Sequence, residues 1–539
     1  MRKKLTVSLL LLLTCAVGFG CQKPAGEMKE QDLQRVRSLQ GGQTKKVIMI
    51  LVDSLMPKTI DTGIRQKRLP TFQYLTEHGQ YYRNMVSSFP TMSVTIDSSL
   101  QTGEYPDKHR VPGLTWYSAA ERRVINYGTG PMEVLRQGPG TVLEDALISL
   151  NGKHLSRHTP TVYEELARRG LTSGSVNGLI YRGASGHELI LPAWLHAPSH
   201  LPSRIPVKGP DLLALGSLAN PLAERIDLPD GAADRFGLNN RFSAETAAYL
   251  IRAGKLPDYL FVYLPDLDQE LHRKGPGAME EVERVDGQLA TVLQAFGSRE
   301  EALRKAIIIV AGDSGMTPIM RAEKKPTVEL GAIFKDDRLL RPGEPVSART
   351  GLIAAVNETM AYVYRMNTDK TLRALAGELA ADSRIDLAAW KERGWIYVLQ
   401  GKTKKELRFK PGGKLADPYG QKWTAERSLD VLDVKADSRT GRIAYDRYPD
   451  GFRRLSAALS SHDGDYLIVT AKPGYELADR SSPKHNGGGG HGALGREETL
   501  VPLLIAGTRQ KPEHLRMIDI KPFVLRLLTE RQDQHPDGK

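Results

Sequence analysis

The amino-acid sequence predicts an α/β fold, with a mostly parallel central sheet flanked by helices and an inserted cap region. Three observations lead to this prediction. Apolar runs that end in an acidic residue recur along the chain, helical patterns lie between them, and one long stretch differs in its glycine, proline and charge content. Alternation of strands with helices is typical of α/β proteins with a parallel sheet.

The predicted strands are continuous apolar runs, which indicate strands buried on both faces of a sheet. Three of these runs carry an acid at their end: Lys46–Ser54, which contains Asp53, Tyr259–Asp266 and Ala306–Asp313. Two further runs follow late in the chain, Tyr466–Gly474 and Thr499–Gly507. Ligands of such sheets bind at the carboxyl ends of the strands. The acids are therefore candidate functional residues.

Between the strands the chain divides into helical and irregular stretches. Ala278–Gly297 carries apolar residues at a spacing of three to four and predicts a helix. Residues of about 320–455 are rich in charge, glycine and proline, which indicates an insertion or cap on the core. We expect one catalytic domain over 46–512 that contains this insertion, followed by a C-terminal segment over 513–539.

Residues 1–20 have the pattern of a signal peptide, with basic residues, an apolar run and then small residues. Cys21 follows and begins a polar tether over 21–45, which resembles a bacterial lipoprotein signal. We expect an extracytoplasmic protein anchored to the membrane through lipidated Cys21; simple secretion and an uncleaved anchor are the alternatives. Because Cys15, the other cysteine, lies inside the signal, the mature chain is expected to contain neither a disulfide nor a cysteine metal site.

The formal net charge is +12 at pH 7, and the basic residues are spread along the chain. They are not concentrated in one arm, so specific nucleic-acid binding is not expected. Attraction of anionic substrates, anionic lipid head groups or cell-wall polymers is a simpler use of this charge. The sequence does not indicate an oligomeric state.

Three segments carry residues suited to chemistry. In Pro265–Pro276, Asp268 and His272 are four residues apart, so on one helical turn they face the same way and could chelate one metal ion. His491 follows four glycines, which let the backbone approach a metal cluster closely. Phe89–Gly113 is rich in hydroxyls, and a hydroxyl nucleophile is activated when it coordinates a metal.

Each segment also has a simpler interpretation when taken alone. Asp-x-x-x-His is common on solvated helix faces, and a glycine-rich stretch with histidines is often a flexible surface loop. A string of serine and threonine can simply cap the start of a helix.

Taken together, five motifs resemble the type I phosphodiesterase/nucleotide pyrophosphatase branch of the alkaline phosphatase superfamily. In chain order they are the strand ending at Asp53, Pro90-Thr91-Met92-Ser93 with Thr102-Gly103, Asp268-x-x-x-His272-x-x-Gly275-Pro276, Gly312-Asp313-x-Gly315-Met316 and Gly490-His491-Gly492. The resemblance covers most of the chain from about Lys46 to Gly507, but the insertion carries no family motif. It implies an alkaline-phosphatase-like fold.

The resemblance also implies a site with two divalent metal ions, usually zinc in that family, and a Ser or Thr nucleophile that contacts metal. The first ion would be held by Asp268, His272 and His491. The second would be held by Asp53, Asp313 and position 314. Counting ten residues back from the glycine of Thr-Gly places the nucleophile at Ser93, and Ser88 is the alternative if the alignment starts from Phe89-Pro90.

Position 314 departs from the family, because Ser314 stands where the family has a histidine. A hydroxyl is a poorer zinc ligand than an imidazole. Asp53, Asp313 and Ser93 would still supply three oxygens, a set that Mn²⁺ or Mg²⁺ would tolerate. Ser314 itself and His485, which lies in the glycine-rich loop, are possible extra ligands of this ion.

The function implied is a metal-dependent hydrolase of phosphate diesters or pyrophosphates that acts through a seryl-phosphate intermediate on Ser93. A phosphomonoesterase or phosphonate hydrolase of the same superfamily is one alternative. A non-catalytic surface lipoprotein with a degenerate metal site is another, and Ser314 is its main support. A sulfatase is disfavoured, since Met92 stands where the sulfatase motif has arginine.

Overall fold

The computed structural model describes residues 29–36, 45–403 and 405–530. The predicted signal peptide, Cys15, Cys21 and most of the tether lie outside the described residues, as does the end of the chain from 531 to 539. Every helix in the described ranges is too short or too polar to span a bilayer.

The helices are α1 Lys29–Arg35, α2 Pro57–Arg65, α3 Pro70–Glu77, α4 Ser93–Thr102, α5 Pro106–His109, α6 Pro131–Gln137, α7 Pro139–Glu144, α8 Val162–Arg168, α9 Ala193–Ser199, α10 Asn240–Arg252, α11 Asp266–Lys274, α12 Glu280–Gln294, α13 Arg299–Lys305, α14 Leu330–Ile333, α15 Leu372–Ala381, α16 Gly451–Ala458, α17 Arg496–Thr499 and α18 Ile520–Thr529. A π-helix covers Asp145–His154, and short 3₁₀ turns cover Ala232–Gly237, Ala322–Lys324, Leu429–Leu432 and Met517–Asp519. The helix predicted within Ala278–Gly297 is confirmed as α12.

The strands are β1 Lys46–Val52, β2 Gly79–Val86, β3 Thr115–Ser118, β4 Arg123–Asn126, β5 Ser173–Val176, β6 Ser185–Ile190, β7 Arg204–Gly209, β8 Leu212–Ala214, β9 Tyr259–Leu264, β10 Ala306–Gly312, β11 Thr317–Pro318, β12 Thr327–Glu329, β13 Leu352–Asn357, β14 Met360–Arg365, β15 Ile385–Glu392, β16 Trp395–Gln400, β17 Glu406–Ala416, β18 Lys422–Arg427, β19 Val434–Ala436, β20 Ile443–Tyr445, β21 Tyr466–Ala471, β22 Glu476–Ala478, β23 Gly489–Gly490 and β24 Leu500–Ala506.

A seven-stranded central sheet has the order β2-β24-β10-β1-β9-β5-β8. Five neighbouring strands of this sheet are mutually parallel: β10, β1, β9, β5 and β8. β24 runs antiparallel to both of its neighbours, β10 and β2. Alternate residues of β1 pack into two apolar clusters: Ile48 and Ile50 join one, and Val47 and Met49 join the other. Helices cover both faces, which explains why the apolar runs are continuous. The predicted α/β fold is confirmed.

The second large sheet is entirely antiparallel and has the order β13-β14-β21-β15-β16-β17-β18. It forms the inserted region between β12 and β22, with α15 packed on one face. The run Tyr466–Ala471 belongs to this sheet, so the antiparallel layer continues beyond residue 455. A continuous apolar run alone does not identify which of two buried sheets it joins.

Buried polar groups attach the inserted region to the core. The guanidinium of fully buried Arg454, on α16, donates to the carbonyl oxygen of Ser88 at 3.0 Å and to that of Leu494 at 3.2 Å. The Asn357 Oδ1 atom, at the end of β13, accepts from the backbone N–H groups of Leu114 and Thr115 at 2.8 and 3.1 Å. Because these groups are shielded from water, losing one partner would leave the other unsatisfied.

Asp97, on α4, is a buried carboxyl that makes folding stability depend on pH. Its oxygens accept from the Ile180 N–H at 2.8 Å and from the Gln101 amide at 3.2 Å. Burial raises the pKa of Asp97 from its ordinary value of 3.8 to about 7, although these hydrogen bonds act to lower it. A raised folded-state pKa favours the folded state at pH values below the ordinary pKa, and this contribution is lost as pH rises through about 7.

We expect Asp97→Asn to have a higher free energy of unfolding than the parent protein at pH 8. This difference should be roughly 3 kcal/mol smaller at pH 5 than at pH 8. The Oε1 atom of Gln101 is buried without a partner, so a rotated Gln101 amide can accept from the new Asn amide. Thermal unfolding of both proteins across this pH range measures the effect. Asp369→Asn, at an exposed position, is the control. If the stability of both variants changed with pH in the same way, the raised pKa of Asp97 would be contradicted.

Candidate metal centre

The carboxyl edge of the central sheet brings three acids together. β1 lies between β9 and β10, and Val52 is level with both Leu264 and Gly312. Asp53 and Asp313 directly follow β1 and β10, and α11 begins at Asp266 after β9. The parallel register thus delivers side chains that are far apart in sequence to one place.

Asp268, His272 and His491 form one half of the site, and all three are buried. The Oδ1 atom of Asp268 lies 3.2 Å from His272 Nε2 and 3.3 Å from His491 Nε2. A tetrahedral zinc ion with bonds of roughly 2.1 Å requires ligand atoms about 3.4 Å apart. The predicted trio therefore has the spacing of a metal site.

The orientation of both imidazoles also fits a metal ion. His272 Nδ1 lies 2.9 Å from the Gly489 carbonyl oxygen, and His491 Nδ1 lies 2.6 Å from that of Thr91. An Nδ1–H group that donates to a carbonyl leaves the lone pair of Nε2 for a metal, and such outer contacts are typical of metal-binding histidines. Both Nε2 atoms face Asp268.

Without a metal ion, the Asp268 carboxylate and the two imidazoles stabilise one another's charged forms. Burial disfavours the charged form of His272, but Asp268 and Glu358 outweigh it and raise the pKa of His272 to about 9. Burial likewise opposes ionisation of Asp268, yet the two histidines hold the pKa of Asp268 well below its ordinary range. Metal binding must therefore displace protons from the imidazoles.

Asp53 and Asp313 form the other half, together with Ser93. The Tyr263 hydroxyl donates to Asp53 Oδ2, and Ser93 Oγ lies 3.3 Å from Asp53 Oδ1. Asp313 Oδ1 accepts from the backbone N–H groups of Ser54 and Ser314, at 2.8 and 2.5 Å.

The two carboxylates of this half are short of positive charge. Burial and the neighbouring Asp313 raise the pKa of Asp53 well above its ordinary range, and burial also raises the pKa of Asp313. Asp313 Oδ2 is buried without a hydrogen-bond partner. An unpaired carboxylate oxygen in such a place is costly unless a cation or a proton neutralises it. The donor set therefore fits a divalent ion.

Ser93 is the first residue of α4 and is only partly buried. Its hydroxyl lies at the positive end of the helix dipole, where an anion or an alkoxide is stabilised. Ser88, the alternative nucleophile, has a completely buried hydroxyl. Accessibility therefore favours Ser93.

Ser314 is buried beside a second serine. Its Oγ lies 3.2 Å from Ser54 Oγ, which in turn lies 2.8 Å from Asp268 Oδ1. Ser54 has a φ of 55°, a left-handed conformation that is uncommon for a side-chain-bearing residue. The two hydroxyls connect the two halves of the site through hydrogen bonds.

His485, a possible extra ligand of the second ion, lies beside His272 of the first set. The two imidazole rings are 4.4 Å apart between centroids, and His272, Glu358 and His485 form a second group with metal-ligand spacing. His485 Nδ1 lies 3.1 Å from a carboxylate oxygen of buried Glu476. The spacing of His485 and His491 in the sequence did not reveal that His485 would contact His272 and Glu476 while His491 contacts Asp268.

Sequence reasoning also missed Tyr263, Ser54 and Glu358. Tyr263 precedes Leu264 in β9, and the register with Leu51 of β1 places it beside Asp53. Glu358 lies in the turn between β13 and β14 of the inserted sheet, 3.5 Å from His272 Nε2. Its φ of 57° is a strained conformation of the kind found at functional sites. No local motif signals such a long-range contact.

Comparisons with known proteins identify the family and the fold. A family model described as "Type I phosphodiesterase / nucleotide pyrophosphatase" matches residues 47–494. A search of curated proteins finds no match. Two similar solved structures are an inactive murine ectonucleotide pyrophosphatase/phosphodiesterase 5 in complex with AMP (14% identity, TM-score 0.52, covering 90% of this chain and 95% of that chain) and phosphonoacetate hydrolase from Sinorhizobium meliloti 1021 with phosphonoformate (15% identity, TM-score 0.53, covering 90% and 96%). At these identities the likeness establishes the fold.

Restoring an imidazole at position 314 should strengthen metal binding at Asp53 and Asp313. We expect Ser54→Gly/Ser314→His to bind its second zinc ion at least about tenfold more tightly than the parent, since glycine adopts the left-handed φ and frees the space that the Ser54 hydroxyl occupies. Competition with a zinc-sensitive chelator measures the affinity, and Ser54→Gly alone is the control. Unchanged zinc affinity in the double variant would show that position 314 does not face the ion.

Proposed function

The chain belongs to the type I phosphodiesterase/nucleotide pyrophosphatase family, and we propose that it is a metal-dependent hydrolase of phosphate diesters or pyrophosphates with Ser93 as its nucleophile. One observation carries the proposal most directly. The partly exposed Ser93 hydroxyl lies at the start of α4, 3.3 Å from Asp53, in a site where Asp313 has an unpaired oxygen. A hydroxyl in such a place can be both activated and reached by substrate.

Two divalent ions, held by Asp268, His272 and His491 on one side and by Asp53, Asp313 and Ser93 on the other, would supply Lewis-acid stabilisation of phosphoryl charge. Zinc suits the first set, and the all-oxygen second set also suits Mn²⁺ or Mg²⁺.

The chain's own residues then perform two displacements. The Ser93 oxygen attacks phosphorus as its proton leaves toward Asp53, whose carboxylate is held by the Tyr263 hydroxyl. The bond from phosphorus to the leaving alcohol or phosphate breaks, the leaving oxygen takes up that proton, and a phosphoserine is formed. Water then attacks the same phosphorus, the bond between the Ser93 oxygen and phosphorus breaks, and one proton of the water returns to the Ser93 oxygen as the phosphate product leaves. The N-terminus of α4 favours the negative phosphoryl group throughout.

Two other functions stay open. A phosphomonoesterase or phosphonate hydrolase would use the same residues on a different ester, and one of the similar structures is a phosphonoacetate hydrolase. A non-catalytic surface protein is favoured by Ser314 alone. Assays with bis-p-nitrophenyl phosphate, p-nitrophenyl phosphate and phosphonoacetate discriminate among the three.

We expect Ser93→Ala to lower kcat by at least about 10³-fold on the preferred ester while the unfolding temperature and the metal bound by Asp268, His272 and His491 stay near those of the parent. The reason is that the variant loses the attacking oxygen but keeps the carboxylates and imidazoles. Ser88→Ala is the matched control, since that hydroxyl is buried without a partner and its removal should be harmless. Full activity in Ser93→Ala, or its loss in Ser88→Ala, would refute the assignment of the nucleophile.

We also propose that the protein is an extracytoplasmic lipoprotein anchored through Cys21, on the basis of the signal-like sequence that precedes this residue. A Cys21→Ser variant should move from the membrane fraction to the soluble extracytoplasmic fraction, because a lipid chain provides most of the expected membrane affinity. Fractionation with immunoblotting measures this. Equal membrane association of the parent and the variant would argue against lipidation.

A further inference from the structure

A cavity of about 120 Å³ lies beside the proposed nucleophile. Two of its lining residues also adjoin the site: Val94 follows Ser93 on α4, and Tyr263 donates its hydroxyl to Asp53. Other walls come from the π-helix Asp145–His154 and from the loops after β5 and β8. These loops follow the carboxyl ends of parallel strands, so the cavity and the metal centre share one edge of the sheet.

The walls of the cavity are almost entirely carbon, with lining residues drawn from two apolar clusters. Apart from Ser217, its described polar side chains are already engaged in hydrogen bonds with other residues. Asn177 bonds to the Gly237 carbonyl oxygen at 2.8 Å and accepts from the Gly216 N–H at 3.0 Å. The Tyr181 hydroxyl donates to the Leu147 carbonyl oxygen at 2.7 Å.

This chemistry disfavours a polar ligand. A nucleobase or a sugar buried here would lose its hydrogen bonds to water, and among the described lining residues only Ser217 keeps a hydroxyl without a partner. Each polar group left unpaired there would weaken binding. An aliphatic group loses nothing of this kind and gains from leaving water.

We propose that the cavity binds an aliphatic chain carried by the phosphate ester that reaches Ser93, so that the substrates are amphiphilic phosphate esters. The inference rests on the proposed function, which places the phosphoryl group at Ser93 and Asp53. The volume limits how much of the chain enters: an apolar cavity of roughly 150 Å³ holds a benzene molecule, so this one holds about five or six carbon atoms.

Binding of n-alkylphosphonic acids tests the proposal without any turnover, because these ligands have no ester bond to cleave. Their affinities for the zinc-loaded protein, from methyl to decyl, are measured by isothermal titration calorimetry. We expect affinity to rise about fourfold with each methylene group up to pentyl or hexyl and then to level off. AMP serves as the polar competitor.

Ala146→Phe fills the cavity from the π-helix, where Ala146 is one of the lining residues. This variant should bind methylphosphonate as the parent does and lose the gain from longer chains. Ala425→Phe, at a partly buried position in the inserted sheet, is the matched control and should keep the gain. If Ala146→Phe does not fold, the chain-length series on the parent protein decides the matter.

Affinity that is independent of chain length would overturn the proposal. AMP binding more tightly than hexylphosphonate, with AMP binding lost in Ala146→Phe, would also overturn it, because the cavity would then hold a polar group. A chain-length gain in a protein that turns over no ester would support the cavity assignment while the hydrolase proposal failed. The two proposals can therefore fail separately.

Discussion

Burial of three carboxylates at one edge of the central sheet is the constraint on which the site depends. The parallel pairing of β1 with β9 and β10 brings Asp53, Asp268 and Asp313 together, away from water. Like charges in such a place repel one another, and each loses hydration. The surrounding structure must therefore supply protons, imidazoles or metal ions. His272 and His491 do so for Asp268, whereas Asp313 keeps an oxygen with no partner.

The two halves of the site consequently differ in chemistry. Asp268 and its two imidazoles form a nitrogen-rich set whose ring orientations are fixed by backbone carbonyls. Asp53 and Asp313 are surrounded by hydroxyls and backbone N–H groups, an all-oxygen donor set that would suit a harder cation than the first set. Ser314 is the origin of this asymmetry, because it places a hydroxyl where the family has an imidazole. The Ser54–Ser314 contact then joins the two halves.

The inserted sheet is part of the site rather than an independent attachment. Its β13–β14 turn directs Glu358 to within 3.5 Å of His272 Nε2, and α16 buries Arg454 against the Ser88 carbonyl oxygen. Both contacts reach segments that carry predicted functional residues. Movement of the insertion relative to the central sheet would therefore disturb the cluster of Asp268, His272 and His491 and the segment that leads to Ser93. The apolar cavity gives the same edge of the sheet a surface suited to carbon rather than to charge.

The sequence by itself determined the features that are local in the chain. Continuous apolar runs predicted the buried strands, and the spacing of Asp268 and His272 predicted two side chains that meet on one turn of α11. Strand burial and helical periodicity are both encoded by neighbouring residues. Only the tertiary structure decided which buried sheet Tyr466–Ala471 joins and that the His485 ring lies beside His272. It alone brought Glu358 to the site. These outcomes depend on contacts between residues that are distant in the chain, and no local pattern encodes them.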